Sequence, residues 1–113
     1  MNRVDFYEEN GICVIKPMGE MIFFFLEEVS KFVKNKIKHN YCKFVFELAE
    51  VPWIDSIGLG LFAMTVKAAI LNQTKVCIVN PSENIVKLLK MSNLLDFINI
   101  CGSMDEAVGF FSA

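Results

Sequence analysis

The chain has 113 residues, 54% of them hydrophobic and 21% charged, which is enough apolar surface for one core in a single domain spanning residues 1–113. Its net charge is -2 and its eleven Lys and Arg residues are scattered, so no concentrated basic face supports nucleic-acid binding. Cys13, Cys42, Cys77 and Cys101 are widely spaced without a Cys-x-x-Cys pair, and the one histidine, His39, sits in a basic segment; free thiols in a reduced cytoplasm are expected, and a metal site is not.

Met1-Asn2-Arg3-Val4-Asp5 carries an acid and leads into no sufficient apolar stretch, which argues against a signal peptide. Asp5 to Asn10 and Ile12 to Pro17 are expected to form two short strands, joined at Asn10-Gly11, the preferred dipeptide of a tight hairpin. From Met21 the apolar positions Ile22, Phe25, Leu26, Val29, Phe32, Val33 and Ile37 recur at three- and four-residue steps, the stripe of an amphipathic helix. Glu27 and Glu28 lie early on its polar face and Lys34, Lys36 and Lys38 late, as the helix dipole favours, and Asn40 ends it. Phe23 and Phe24 fall beside the stripe; they form either an exposed binding patch or a wide buried face covered by the C-terminal segment with Phe110 and Phe111.

Lys43 to Leu48 is aromatic and β-branched, a central strand, and the loop from Ala49 to Asp55 leads into a second helix from Ser56 to about Asn72. Lys75 to Val79 is a short apolar strand. Asn80-Pro81-Ser82-Glu83 predicts a helix start, with Asn80 as the cap and proline at the first helical position; this helix runs to about Met91, and Asn93 can take the left-handed conformation that ends it. Leu95 to Ile100 is read as a last strand, and Ser103-Met104-Asp105-Glu106 as a capping box opening a helix with Ala107, Val108, Phe110 and Phe111 on its apolar face. The order ββαβαβαβα predicts an α/β fold, a mostly parallel sheet with one antiparallel hairpin strand and about four helices. Runs without charge, such as Ser56 to Val66, are far too short to span a membrane, so a soluble cytoplasmic protein is expected.

The chemistry centres on Ile54-Asp55-Ser56-Ile57-Gly58-Leu59-Gly60, where a serine falls at a helix start whose free N–H groups and dipole favour negative charge. A hydrolase elbow needs glycine two residues before the serine, where this chain has Ile54, and its base would have to be His39 at the far end of a helix. Gly58-x-Gly60-x-x-Ala63 meets the relaxed dinucleotide fingerprint, but a loop separates it from the preceding strand and the next strand ends without a ribose-binding acid. No Gly-Lys-Ser or Gly-Lys-Thr occurs. No cofactor and no enzymatic activity are expected.

Asp55-Ser56-Ile57-Gly58-Leu59-Gly60, following Val51-Pro52-Trp53-Ile54, resembles the signature of STAS domains, in particular the stand-alone bacterial anti-sigma factor antagonists with their Asp-Ser-Ser/Ala-Gly-Leu-Gly motif. Weaker similarities at Gly19-Glu20, Val86, Leu88-Leu89, Ser92-Asn93-Leu94-Leu95 and Asp105-Glu106-Ala107 extend it over nearly the whole chain. Ile57 stands where the motif has a small residue, and Met21-Ile22 where many members place an apolar residue and then Asp or Asn. The resemblance implies that Ser56 is phosphorylated by an anti-sigma factor with serine kinase activity. It further implies that the unphosphorylated form binds that partner and frees a sigma factor, and that a phosphatase resets the switch. Asp55, Ser56, Ile57, Gly58, Leu59, Gly60 and Glu20 are then the expected partner-binding residues. The alternative under the same resemblance is an adaptor or regulatory subunit of a membrane transport system, not itself inserted in the membrane.

A phosphoserine adds about -1.5 to -2 charge at neutral pH, so a partner surface fitted to a neutral hydroxyl would be repelled. Gly58 and Gly60 remove side chains from the first helical turn, which suits either close approach of a partner or packing within the domain. Asp55 has a compatible structural role as a helix cap.

Overall fold

A computed structural model of the chain describes the backbone of residues 3–19 and 23–112 and the side chains of 3–19 and 27–112. Strand β1 (Arg3–Glu9) and strand β2 (Ile12–Met18) pair antiparallel across Asn10-Gly11, whose φ values of 52° and 80° are those a two-residue hairpin turn requires. Helix α1 (Phe23–Lys38) returns to strand β3 (Lys43–Glu47), helix α2 (Ser56–Leu71) to strand β4 (Val76–Val79), and helix α3 (Glu83–Met91) to strand β5 (Ile98–Cys101). Helix α4 (Met104–Ser112) follows. Strands β2 to β5 are parallel, and the sheet order β1-β2-β3-β4-β5 repeats the chain order. The expected α/β fold with its ββαβαβαβα order is the observed one.

Period-2 alternation divides the sheet's side chains between two cores. Cys13, Ile15, Phe44, Phe46, Val76 and Ile78 meet Val29 and Val33 of α1, Phe62 and Val66 of α2 and Ile85 and Leu89 of α3, with Phe46 edge-on to Phe62 at 4.8 Å between ring centres. Val14, Val45, Cys77, Val79 and Cys101 face the other way, onto Ala107, Met104, Val108 and Phe111 of α4. Three βα units with the usual right-handed crossover place α1, α2 and α3 on one face, and α4 folds back over the other. Phe110 and Phe111 therefore lie across the sheet from α1 and do not cover it, contrary to one sequence expectation; the side chains of Phe23 and Phe24 lie outside those described.

Helices α1, α2 and α3 end in the same way. Tyr41 N donates to Lys36 O and Asn40 N to Ile37 O; Thr74 N to Ala69 O and Gln73 N to Ile70 O; Leu94 N to Leu89 O and Asn93 N to Lys90 O. Each is a Schellman closure, and its left-handed residue is Asn40, Gln73 or Asn93, with φ of 68°, 57° and 58°, where glycine is usual.

Two local readings are corrected. The cap of α3 is Ser82, whose hydroxyl accepts Ile85 N–H at 3.3 Å, and not Asn80, which has φ of 53° and donates its N–H to Cys101 O. Leu95–Phe97 is a short 3-10 turn and the last strand begins only at Ile98; Leu94 and Leu95 are apolar because they pack against the core from a turn, an ambiguity that hydrophobicity over a short run does not resolve.

Candidate functional site

The loop after β3 is built to hold one rigid shape. Leu48, Val51 and Ile54 are buried in the core, while Pro52 and Trp53 between them are exposed. Leu48 N donates to Val79 O, Val51 N to Leu48 O, and Ala49 N to the largely buried Glu47 carboxylate at 3.4 Å. Two neighbours fasten the loop from outside: Gly19 N at the end of β2 donates to Glu50 O at 2.9 Å, and the Ser82 hydroxyl donates to Pro52 O at 3.2 Å. With its apolar side chains buried and its backbone bonded to three other segments, the loop delivers Asp55 and Ser56 to the start of α2 in a fixed orientation.

Asp55 is the cap of α2. Its backbone is extended, at φ -96° and ψ -174°, and its Oδ1 accepts the N–H groups of Ile57 at 3.0 Å and Gly58 at 2.9 Å, while its carbonyl accepts that of Leu59. This corrects the expectation of free N–H groups awaiting an anion, because the carboxylate of Asp55 already occupies two of them. A phosphate on Ser56 would add charge next to that carboxylate and would find those two donors taken.

The sequence-predicted residues Asp55, Ser56, Ile57, Gly58, Leu59 and Gly60 form the cap and first turns of α2, divided between two faces. Ser56, Ile57 and Gly60 are exposed, Gly58 is buried, and Leu59 is half-buried against the core. Glu20, and Met21 and Ile22 beside it, lie outside the described residues. A Cβ built on Gly60 would meet nothing within 4 Å, so packing within the domain does not require glycine there. Ile57, Gly60, Leu61 and Met64 line a shallow groove of about 200 Å³ against Glu27, Ser30 and Lys34 of α1.

Two features of the surface around Ser56 are not evident from sequence. Trp53 is 40% exposed and Ile57 48% exposed, so a tryptophan and an isoleucine flank the serine in water. Trp53 looks in sequence like part of the apolar run before the motif, and only the burial of Val51 and Ile54 on either side turns it outward. Helix α2 also has one charged residue, Lys67, in its sixteen, although Ile57, Ala63, Ile70 and Leu71 are exposed. Exposed aromatic and aliphatic side chains on a rigid element are the usual anchors of a protein interface.

His39 is exposed at the end of α1, with Nδ1 2.8 Å from Asn35 O, at the end of the parallel sheet away from Ser56. Gly58 and Gly60 lie inside a helix and not in a strand-to-helix turn, so they form no phosphate cradle. The four cysteines are free; Cys13, Cys77 and Cys101 are buried and Cys42 is half-buried. No helix among the described residues is long and apolar enough to cross a membrane.

Comparison with known proteins agrees with this geometry. An anti-sigma-B factor antagonist of Staphylococcus epidermidis is 30% identical over 96 residues, covering 85% of this chain and 83% of that protein. A Thermotoga maritima protein described as a candidate anti-sigma factor antagonist superposes with a TM-score of 0.83 at 21% identity, covering 94% of this chain and 92% of its own. The anti-sigma factor antagonist SpoIIAA superposes in its unphosphorylated form with a TM-score of 0.79 at 17% identity, covering 96% and 93% of the two chains. The phosphorylated form of SpoIIAA, from Bacillus, gives 0.77 at 17% identity, with 96% and 97% covered. The family model of the STAS domain matches residues 3–107, and with the strand order and the Asp-Ser helix start already described, the chain belongs to the STAS domain family.

Proposed function

We propose that this chain is a cytoplasmic anti-sigma factor antagonist without enzymatic activity. It binds an anti-sigma factor with serine kinase activity while Ser56 is unmodified, and loses that partner when the kinase phosphorylates Ser56. A phosphatase acting on phospho-Ser56 restores binding. The observation that carries this reading is the placement of Ser56: exposed at a rigid helix start, between exposed Trp53 and Ile57, beside a carboxylate that already holds the adjacent N–H groups. Added phosphate charge stays at the surface and changes what the surface will bind, while the fold is left alone. That SpoIIAA matches this chain almost equally in its unphosphorylated and phosphorylated forms supports a switch of that kind. The naming of the staphylococcal relative supports the partner class. With His39 at the far end of the sheet and the Asp55 carboxylate engaged by the Ile57 and Gly58 N–H groups, Ser56 suits modification better than nucleophilic catalysis.

Incubation with ATP and the cognate anti-sigma kinase should place one phosphate on Ser56, and Ser56→Ala should abolish it. Ser56→Asp should bind the partner at least about tenfold more weakly than the unmodified protein, the cost of a desolvated like charge. Phosphate on another residue, or full-strength binding by Ser56→Asp, would sink the mechanism.

A further inference from the structure

A second concave surface lies at the other pole of the molecule. Lys43 opens β3, Lys75 directly precedes β4 and Phe97 directly precedes β5, so all three mark the starts of parallel strands, whereas Ser56 follows a strand end. Between them runs a groove of about 540 Å³, within the size range of small-ligand sites. Its apolar lining is Ile70 from the last turn of α2, Phe97, and Phe110 and Phe111 from the end of α4, the last two edge-to-face at 5.2 Å. Ile70 is 46% exposed, Phe97 43% and Phe110 37%, so three large apolar side chains face water in one concavity.

The rest of the lining differs in character. Lys43 and Lys75 belong to it, and among the described residues no acidic side chain lines the groove and neither lysine belongs to an ion pair. Gln73 and Thr74 complete the polar lining from the turn after α2, where the Schellman bonds to Ile70 O and Ala69 O hold the backbone in place. The groove therefore combines a preformed apolar surface with two ammonium groups that have no ion-pair partner among the described residues.

We propose that this groove binds a single-headed anionic amphiphile, with its aliphatic or aromatic body on Phe97, Phe110 and Ile70 and its anionic head between Lys43 and Lys75. A neutral amphiphile would gain only the apolar contact, and a cationic one would meet two like charges. The site is at the opposite end of the strands from Ser56, so it neither depends on the phosphorylation switch nor competes with a partner docked there.

The test uses the whole protein and decanoate below its micelle concentration, with decanol and decylammonium as matched probes, followed by NMR shifts. Saturable decanoate shifts confined to Lys43, Phe97, Phe110 and their neighbours are expected. Decanol should bind about fivefold or more weakly, and the Lys43→Gln/Lys75→Gln protein should lose about fivefold in decanoate affinity, as two surface charge contacts imply. Phe110→Ser, which replaces an exposed ring, should weaken all three probes together. Equal affinity for decanoate and decanol, shifts spread over other faces, or an unchanged affinity in the doubly substituted protein would overturn the proposal. Binding to anionic vesicles with no binding of monomeric decanoate would overturn it too, in favour of a membrane-facing surface. Ser56→Asp should leave decanoate affinity unchanged, so failure here leaves the switch standing and failure of the switch leaves the groove standing.

Discussion

The carboxylate of Asp55 and the backbone of Gly58 are joined by a 2.9 Å hydrogen bond, and the same oxygen takes the N–H of Ile57. One side chain thus both closes the start of α2 and supplies the charge next to Ser56. The two roles separate by substitution, since asparagine caps a helix about as well as aspartate and alanine does not. Asp55→Ala should lower the unfolding free energy by about 1 kcal/mol. Asp55→Asn should stay within a few tenths of wild type while changing partner affinity, readable by urea unfolding beside a binding titration. If Asp55→Asn lost as much stability as Asp55→Ala, the capping account would be wrong.

Gly60 sits in a helix with open space where its Cβ would be, and so does Gly109 in α4. Alanine at either position should stabilise the protein by about 0.5–1 kcal/mol by restricting the unfolded chain. If Gly60 lies in the proposed interface, only Gly60→Ala should also weaken binding of the anti-sigma partner, by about tenfold, because a methyl group there would intrude on the contact. A Gly60→Ala protein that bound as well as wild type would place the interface elsewhere.

Gln73 occupies the left-handed position of a Schellman closure without the freedom of glycine or the local hydrogen bonding of asparagine. Gln73→Gly should raise stability by about 0.5–1 kcal/mol, and Asn40→Gly and Asn93→Gly should do less, because asparagine tolerates that conformation. Thermal unfolding of the three variants ranks them, and a destabilised Gln73→Gly would contradict the strain assigned to that turn.

Burial pushes the Cys77 thiol up from 9.0 to about 12 and that of Cys13 to about 11. Burial also raises Cys101. Below pH 9 both the folded and the unfolded chain keep these protons and the stabilisation is complete. Between pH 9 and about 12 the unfolded chain releases them first, so stability falls as pH rises, each thiol adding at most about 1.4 kcal/mol per pH unit. Cys77→Val should flatten that alkaline decline, and an identical decline would exclude the thiols as its source. At neutral pH a thiol reagent should modify Cys42 rapidly, and all four cysteines only after denaturation.

The sequence revealed most of what local rules govern. Asn10-Gly11 set the hairpin, the spacing from Val29 to Ile37 set the inner face of α1, and the strand-helix alternation set a parallel sheet. The Asp-Ser helix start was legible because cap chemistry depends on a few adjacent residues. What escaped depends on distant partners. Asn80 and Ser82 both suit a cap, and the choice follows from Asn80 N–H being held by Cys101 O while the Ser82 hydroxyl reaches Pro52. The exposure of Trp53 and the open space at Gly60 follow from how the loop and α2 lie on the sheet, and the side of the sheet taken by α4 follows from a turn after β5.

Because spatial strand order copies chain order, each βα unit emerging from a ribosome has its docking edge already in place, and no later segment must thread between earlier ones. The loop leading to Ser56 is an exception to that sequential completion. One of its two outer fastenings comes from Ser82, which is synthesised after α2 and β4, and the carbonyl it holds belongs to Pro52. A nascent chain that ends before Ser82 therefore carries Ser56 but lacks one of the two outer clamps on the loop before it, so a kinase acting on Ser56 as proposed would meet the finished shape only once synthesis has passed that point.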